Sequence, residues 1–133
     1  MPIIYGETRP GHRTAPGSIR QFLVNAETGA TAVSVVPSEW QPGCGPTTPH
    51  QHAHEEVFVF LEGTGEGEVG GQRVEIRPGA AVIIPPHTTH WFRNTGTTPM
   101  RQVVVLASPD YTGPAGTCPL ADDPRPLICL PKT

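Results

Sequence analysis

Four residues in two short segments carry side chains that bind transition metals. His50, His52 and Glu56 lie in the segment 49–63 (PHQHAHEEVFVFLEG), and His90 lies in 78–96 (PGAAVIIPPHTTHWFRNTG). Imidazole and carboxylate groups are the ligands that Zn, Fe, Ni and Mn accept, and three or four of them make a site. If the two segments pair inside a β-barrel, the four side chains can converge on one point. Because burying bare polar groups costs free energy, a metal ion there would compensate.

The spacing of the first three residues sets a condition on the backbone. Residues two apart in a strand face the same side about 6.6 Å apart, so His50 and His52 can bind one ion at about 2.1 Å each. A straight strand would place Glu56 about 20 Å from His50. Glu56 can therefore join the site only if the chain reverses across residues 53–55. His54 lies on that inferred bend and stays open as a rival ligand.

Apolar residues alternate beside the candidate ligands and predict the wall of a substrate pocket. Phe58 and Phe60 share a face with Glu56, and Phe92 and Asn94 share one with His90. The wall predicted in this way consists of Phe58, Phe60, Ile84, Phe92 and Trp40. Such a wall suits a small, partly aromatic or enolic molecule. Asn94 is interpreted as a residue that fixes the strand end, and His87 as a turn residue in left-handed geometry.

The pattern of the whole chain is typical of an all-β domain. It has 133 residues, enough for one core, with 15 Gly and 17 Pro that separate short apolar runs. Strands are predicted at 19–25, 31–36, 50–53, 56–62, 72–77, 80–84, 89–94 and 101–107, with a loop at 37–49 and turns at 64–67 and 70–71. The pattern favours a sandwich or a closed barrel. We expect an extended arm at 1–18, the barrel at 19–107 and a Pro-rich surface tail at 108–133.

Charge and hydropathy narrow the range of partners. The net charge is −3 and the nine cations are scattered, so no basic stripe indicates nucleic acid or a membrane surface. No stretch approaches about 18 apolar residues, and the N-terminus lacks the apolar core of a signal peptide. The three cysteines have neither disulfide-framework nor zinc-ribbon spacing. We expect a cytoplasmic protein with a small-molecule substrate.

At these residues the chain resembles the cupin family. Its first motif, HxHxxxE followed by six residues and Gly, corresponds to His50, His52, Glu56 and Gly63. Its second corresponds to Gly79, Pro85, His90 and Asn94, with His87 where Gly is usual; Gly45 lies one residue closer to His50 than the first motif has it. The resemblance covers about 31–107. It implies a single jelly-roll β-barrel with one divalent transition metal (Fe, Mn, Ni or Zn) in its wider mouth. It also implies a homodimer, often with exchanged N-terminal segments.

Three functions remain open. A site of three histidines and one carboxylate leaves two octahedral positions free. On Fe, Mn or Ni such a site supports dioxygenase chemistry, our first hypothesis; on Zn or a non-redox Mn it polarises a carbonyl, as in a polyketide cyclase, isomerase or lyase. A non-catalytic binding module is the third. The candidates for a general base are His12, His54, Tyr5, Tyr111 and a metal-bound hydroxide. The candidates for binding a substrate carboxylate are Arg20, Arg101 and Gln102. Both faces of 101–107 are apolar enough to be buried, so the face that enters the barrel stays open.

Overall fold

Two antiparallel sheets make up the domain. The computed structural model describes residues 1–15 and 17–111. Within them the strands are β1 (His12–Ala15), β2 (Ser18–Arg20), β3 (Ser34–Trp40), β4 (Glu56–Glu62), β5 (Gly65–Val69), β6 (Gln72–Ile76), β7 (Ala81–Ile84), β8 (His90–Asn94) and β9 (Met100–Leu106). The larger sheet has the order β1-β2-β3-β9-β4-β7 and the smaller one β6-β5-β8. The predicted all-β jelly-roll fold is confirmed. In the described part of the chain, no helix is long and apolar enough to cross a membrane.

Both sheets bury one face in a common aromatic core. Phe58 and Phe60 of β4 alternate with half-buried valines, as predicted, and Phe92 of β8 meets them from the smaller sheet. The ring centroids of Phe58 and Phe92 lie 4.8 Å apart, and Trp40 stacks on Phe92 at 6.3 Å. The edge of this core next to the start of β4 and β8 holds the predicted metal ligands.

The glycine-rich segment after β4 is a strand, whereas the sequence predicted a turn at 64–67. Gly65 and Gly67 belong to β5, which pairs with both β6 and β8. A Cβ at Gly65 would collide with the carbonyl of Arg93, and one at Gly67 with the ring of Phe92. These glycines therefore serve close packing and not a turn. The predicted turn at Gly70-Gly71 is present, with φ of 56° and 80°, the geometry of a two-residue hairpin.

Strand β3 also departs from the prediction, because it continues through Pro37 to Trp40 where a loop was expected from 37. A residue in an antiparallel strand points its N–H and C=O to the same side. The Pro37 carbonyl accepts from the Gln21 N–H at 2.9 Å, on the side where β2 has already ended at Arg20. The missing N–H of Pro37 therefore costs the pairing with β9 no hydrogen bond. The strand predicted at 19–25 is correspondingly short, ending at Arg20.

Three other segments refine the expectations. Strand β7, predicted as buried, is a sheet edge with Ala81 and Ile83 exposed and only Ile84 fully buried. In β9 the buried face carries Gln102, Val104 and Leu106, which settles the face that enters the core. The predicted arm 1–18 contains β1 and begins β2. The predicted tail lies outside the described residues from 112 onward.

One outer sheet surface is apolar. On β4, Val57 and Val59 are half-buried and Leu61 is 50% exposed, while on the neighbouring β7 Ile83 is 65% exposed. Ile83 lies opposite Val57 across the β4–β7 pair, so this outer face combines exposed and half-buried apolar side chains.

Candidate metal centre

The three histidines are positioned by main-chain hydrogen bonds. His90 opens β8, and the predicted strand at 50–53 is instead an irregular segment that follows Pro46 and Pro49, which have no N–H to donate. His50 and His90 form an isolated antiparallel bridge, with N–H to carbonyl distances of 3.1 and 2.9 Å. The N–H of His87 donates to the His52 carbonyl at 2.6 Å. Three backbone bonds therefore hold the two histidine segments together without a continuous ladder.

The side chains converge as the spacing required. Ligand-type atoms of His50, His52 and His90 all lie within 4.8 Å of one another. The chain bends at Ala53 and His54, so that Glu56 returns to the cluster. Its Oε1 lies 3.0 Å from Nε2 of His90, and its Oε2 lies 3.6 Å from Nε2 of His52. The predicted reversal of the chain is therefore present.

Two of the histidines have a fixed tautomer. Nδ1 of His50 lies 2.8 Å from the Thr48 carbonyl, and Nδ1 of His90 lies 2.8 Å from the Thr88 carbonyl. A carbonyl only accepts, so each Nδ1 carries a proton and each neutral ring keeps its lone pair on Nε2. Metal-binding histidines usually have this backbone support.

The orientation of these groups fits a cation. Nε2 of His52, Nε2 of His90 and both carboxylate oxygens of Glu56 are buried without a partner in hydrogen-bond geometry. In the neutral form, the lone pair of His90 Nε2 therefore faces the Glu56 oxygen 3.0 Å away. Two acceptors at this distance repel each other unless a cation lies between them. The three histidines could hold one ion, and the Glu56 carboxylate lies beside two of them.

Burial and neighbouring groups shift the pKa values of the histidines, downward for His50 and His52 and upward for His90. Burial lowers the pKa of His50 and of His52, which keeps both rings neutral and available as ligands. Burial also lowers the pKa of His90, but the Glu56 carboxylate and the Thr88 carbonyl together outweigh it, so that the net pKa is raised. In the absence of a metal, a proton is thus the alternative cation between His90 and Glu56.

The remaining candidate ligands and bases lie outside the three-histidine cluster. His54 is exposed on the bend and does not belong to the three-histidine cluster. His87 has φ of 59°, the left-handed turn conformation predicted for it. The His12 ring is tilted against the ring of Phe22, with centroids 5.6 Å apart, and Tyr5 is largely exposed.

A small inner cavity of about 10 Å³ adjoins His50 and Glu56. Of the predicted pocket wall, Trp40 and Phe58 line it, whereas Phe60, Ile84 and Phe92 pack in the core and do not. Its other lining residues are Arg20, Ser38, Pro46, Val104 and Tyr111. Strand parity could not predict the inward direction of Arg20, because β2 is buried at all three residues.

A wider open depression of about 450 Å³ lies outside the cluster. It is lined by residues 51–54, by Leu106 at the end of β9, and by Ser108, Asp110 and Tyr111 after β9. Tyr111 lines both spaces, and His52 faces the depression where His50 faces the inner cavity. The histidine cluster therefore lies between a one-atom cavity and a depression large enough for a small molecule.

Comparison with known proteins identifies the family. The family model described as "Cupin domain" matches residues 38–106, more than half of the chain. The protein belongs to the cupin family. This cupin is 30% identical over 105 residues to "Protein SchB" of Streptomyces halstedii, covering 78% of this chain and 75% of that protein. It is 30% identical over 97 residues to "Polyketide synthase CurC" of Streptomyces cyaneus, covering 72% and 62%.

A solved structure extends the similarity to almost the whole cupin. The polyketide cyclase RemF from Streptomyces resistomycificus superimposes with a TM-score of 0.69 at 25% identity. The match covers 93% of this chain and 89% of RemF.

Proposed function

We propose that this cupin is a metal-dependent enzyme that closes a ring in a small enolisable molecule of the polyketide type. The observation that carries the proposal is the group of unpartnered acceptors on His52, His90 and Glu56, of which His52 also lines a space open to small molecules. The similarity to RemF and CurC supports the cyclase over the dioxygenase that the ligand set alone favoured.

The chain's own residues supply binding and orientation. His50, His52, His90 and Glu56 would hold a divalent ion, which when bound polarises a carbonyl and stabilises an enolate. The depression receives the substrate, and Trp40 and Phe58 form part of the wall of the inner cavity beside the cluster. His54 and Asp110, both exposed in the depression, are available to exchange protons with the substrate.

Tyr111 is suited to donate a hydrogen bond and not to act as a general base. Burial raises the pKa of Tyr111 to about 12, with Arg20 opposing and Glu56 adding to the effect. At neutral pH its phenol therefore stays protonated, so that it can donate a hydrogen bond but does not accept a substrate proton.

The test combines metal analysis with turnover of a linear poly-β-ketone thioester. Protein purified without chelator should contain a divalent metal, and ring closure should proceed without oxygen, with loss of one water in the product mass. Removing the metal should abolish it. Failure to retain any metal, or a reaction that requires O₂, would sink the cyclase proposal.

A dioxygenase is the second candidate, because three histidines with one carboxylate leave two octahedral positions open. It predicts stoichiometric oxygen uptake and a product that gains both oxygen atoms. The same anaerobic experiment separates the two reactions.

A further inference from the structure

The inner cavity has a cationic side chain on its wall. Arg20 is the last residue of β2, lies opposite Ser38 of β3 and is only 6% exposed. Its Nη1 is buried and has no hydrogen-bond partner among the described residues. A guanidinium cannot lose its charge in a protein, and a buried charge without a partner is costly.

The neighbours of Arg20 do not neutralise it. Its guanidinium carbon lies 5.7 Å from the ring centroid of Tyr111, a cation–π contact that leaves Nη1 without a hydrogen-bond acceptor. Glu56 lines the same cavity, but Arg20 and Glu56, both among the described residues, form no ion pair within 4 Å. The Glu56 oxygens instead face His52 and His90. The guanidinium therefore lacks a counter-anion in this part of the chain.

A second hydrogen-bond donor in the cavity wall is also buried without an acceptor. Trp40 lines the cavity, and its Nε1 is buried without a partner in the described part of the protein. An indole N–H can only donate. Both donors belong to residues that line the same cavity, and its volume of about 10 Å³ has room for about one acceptor atom.

We infer that the cavity receives one oxygen of an anionic substrate, a carboxylate or an enolate, held by the Arg20 guanidinium and the Trp40 indole N–H. The inference deepens the proposed function, on which it rests, because the same molecule would reach the histidine cluster. Tyr111 lines both spaces, so the inner cavity and the outer depression adjoin the same side chain, and we place the carbon skeleton of the substrate in the depression. The substrate class is then a polyketide-type molecule that carries or develops a negative charge, as a carboxylate or as an enolate.

The two tryptophans of the chain provide a direct readout. The zinc-loaded protein, labelled with ¹⁵N, should show two indole N–H signals, from Trp40 in the cavity wall and from half-buried Trp91 on the opposite face of β8. Titration with acetoacetate should move the Trp40 signal saturably and leave that of Trp91 in place. Acetoacetamide keeps the dicarbonyl unit but lacks the charge, and should bind at least about tenfold more weakly, as expected for loss of a charged hydrogen bond.

Variants then separate the anion site from the metal site. Arg20→Gln should keep the wild-type zinc content and lose acetoacetate binding by about tenfold or more, and Arg20→Lys should lose less because it keeps the charge. Arg73→Gln is the matched control, an exposed arginine of β6 that pairs with Glu66. Circular dichroism checks folding; if Arg20→Gln does not fold, Arg20→Lys and the comparison of the two ligands on the wild type decide.

Three results would overturn the inference. They are an unmoved Trp40 signal, equal affinity for acetoacetate and acetoacetamide, and wild-type acetoacetate affinity in Arg20→Gln. Loss of zinc from the wild-type protein would count against the proposed function alone, because the titration can be repeated on the metal-free protein.

Discussion

Asn94 should act on the fold and not on the substrate. Its side chain is 1% exposed at the end of β8. Nδ2 donates to the carbonyls of Trp40 and Thr98, both at 2.9 Å, and Oδ1 accepts from the Gly96 N–H at 2.9 Å. The Trp40 bond is buried and ties the pocket wall to the strand that carries His90.

Asn94→Ala removes all three bonds, each worth about 1 kcal/mol net, and should cost about 3 kcal/mol of unfolding free energy. With an unfolding entropy of about 2.1 cal/mol/K per residue, this chain should melt about 10 °C lower. Calorimetry in the presence of chelator measures the shift, because a bound metal would add stability of its own. Thr95→Ala, at the exposed next residue, is the control and should change the melting temperature little.

Asn94→Asp makes the test sharper because the side chain keeps its shape. It retains the acceptor for Gly96 but places a carboxylate oxygen against the carbonyls of Trp40 and Thr98. At neutral pH it should be at least as unstable as Asn94→Ala. Its deficit should shrink as the pH falls, because a protonated acid can donate to one carbonyl and folding raises the pKa of such a group. Wild-type stability in either variant, with turnover lost, would refute the structural role.

Three further predictions concern the metal, the sheet packing and the assembly. His90→Ala should lose most of the bound metal in elemental analysis, whereas His54→Ala should keep it. Gly67→Ala should lower the unfolding free energy by about 1–3 kcal/mol in urea titrations, because a Cβ there collides with the ring of Phe92. We also propose that two copies pair through the apolar outer face of β4 and β7, so Ile83→Glu should sediment as a monomer and the wild type as a dimer. Metal loss in His54→Ala, an unchanged Gly67→Ala or a monomeric wild type would each contradict its own prediction.

The sequence predicts an element best where one face alone is buried. In β4 and β8 the alternation of aromatic and outward residues identified both the strand and its inner face. It failed for β5, because Gly65 and Gly67 look like turn residues until the close approach of β8 is known. It failed at Pro37 because the tolerance of a proline depends on where the neighbouring strand ends.

Part of the candidate site could likewise be predicted from the sequence, and part could not. The convergence of the histidines and the reversal at 53–55 could be predicted from the spacing of the ligand-type residues, although the strand expected at 50–53 is an irregular segment. The direction of Arg20 could not, since its strand is buried throughout. The inner face of 101–107 was ambiguous because its outer face is also apolar, with Val103 and Val105 half-buried on the larger sheet.

Because the segment 50–53 is irregular, main-chain contacts hold the histidines in place, and the neighbouring side chains determine what the site binds. The main chain fixes the histidines, through the His50–His90 bridge and through the carbonyls of Thr48 and Thr88 that set the tautomers. Carbonyls survive any side-chain substitution, so the same ligand geometry is compatible with many different neighbours. Those neighbours, foremost Arg20 and Trp40 on the inner cavity, are therefore where one cupin of this shape can differ from another in the molecule it binds.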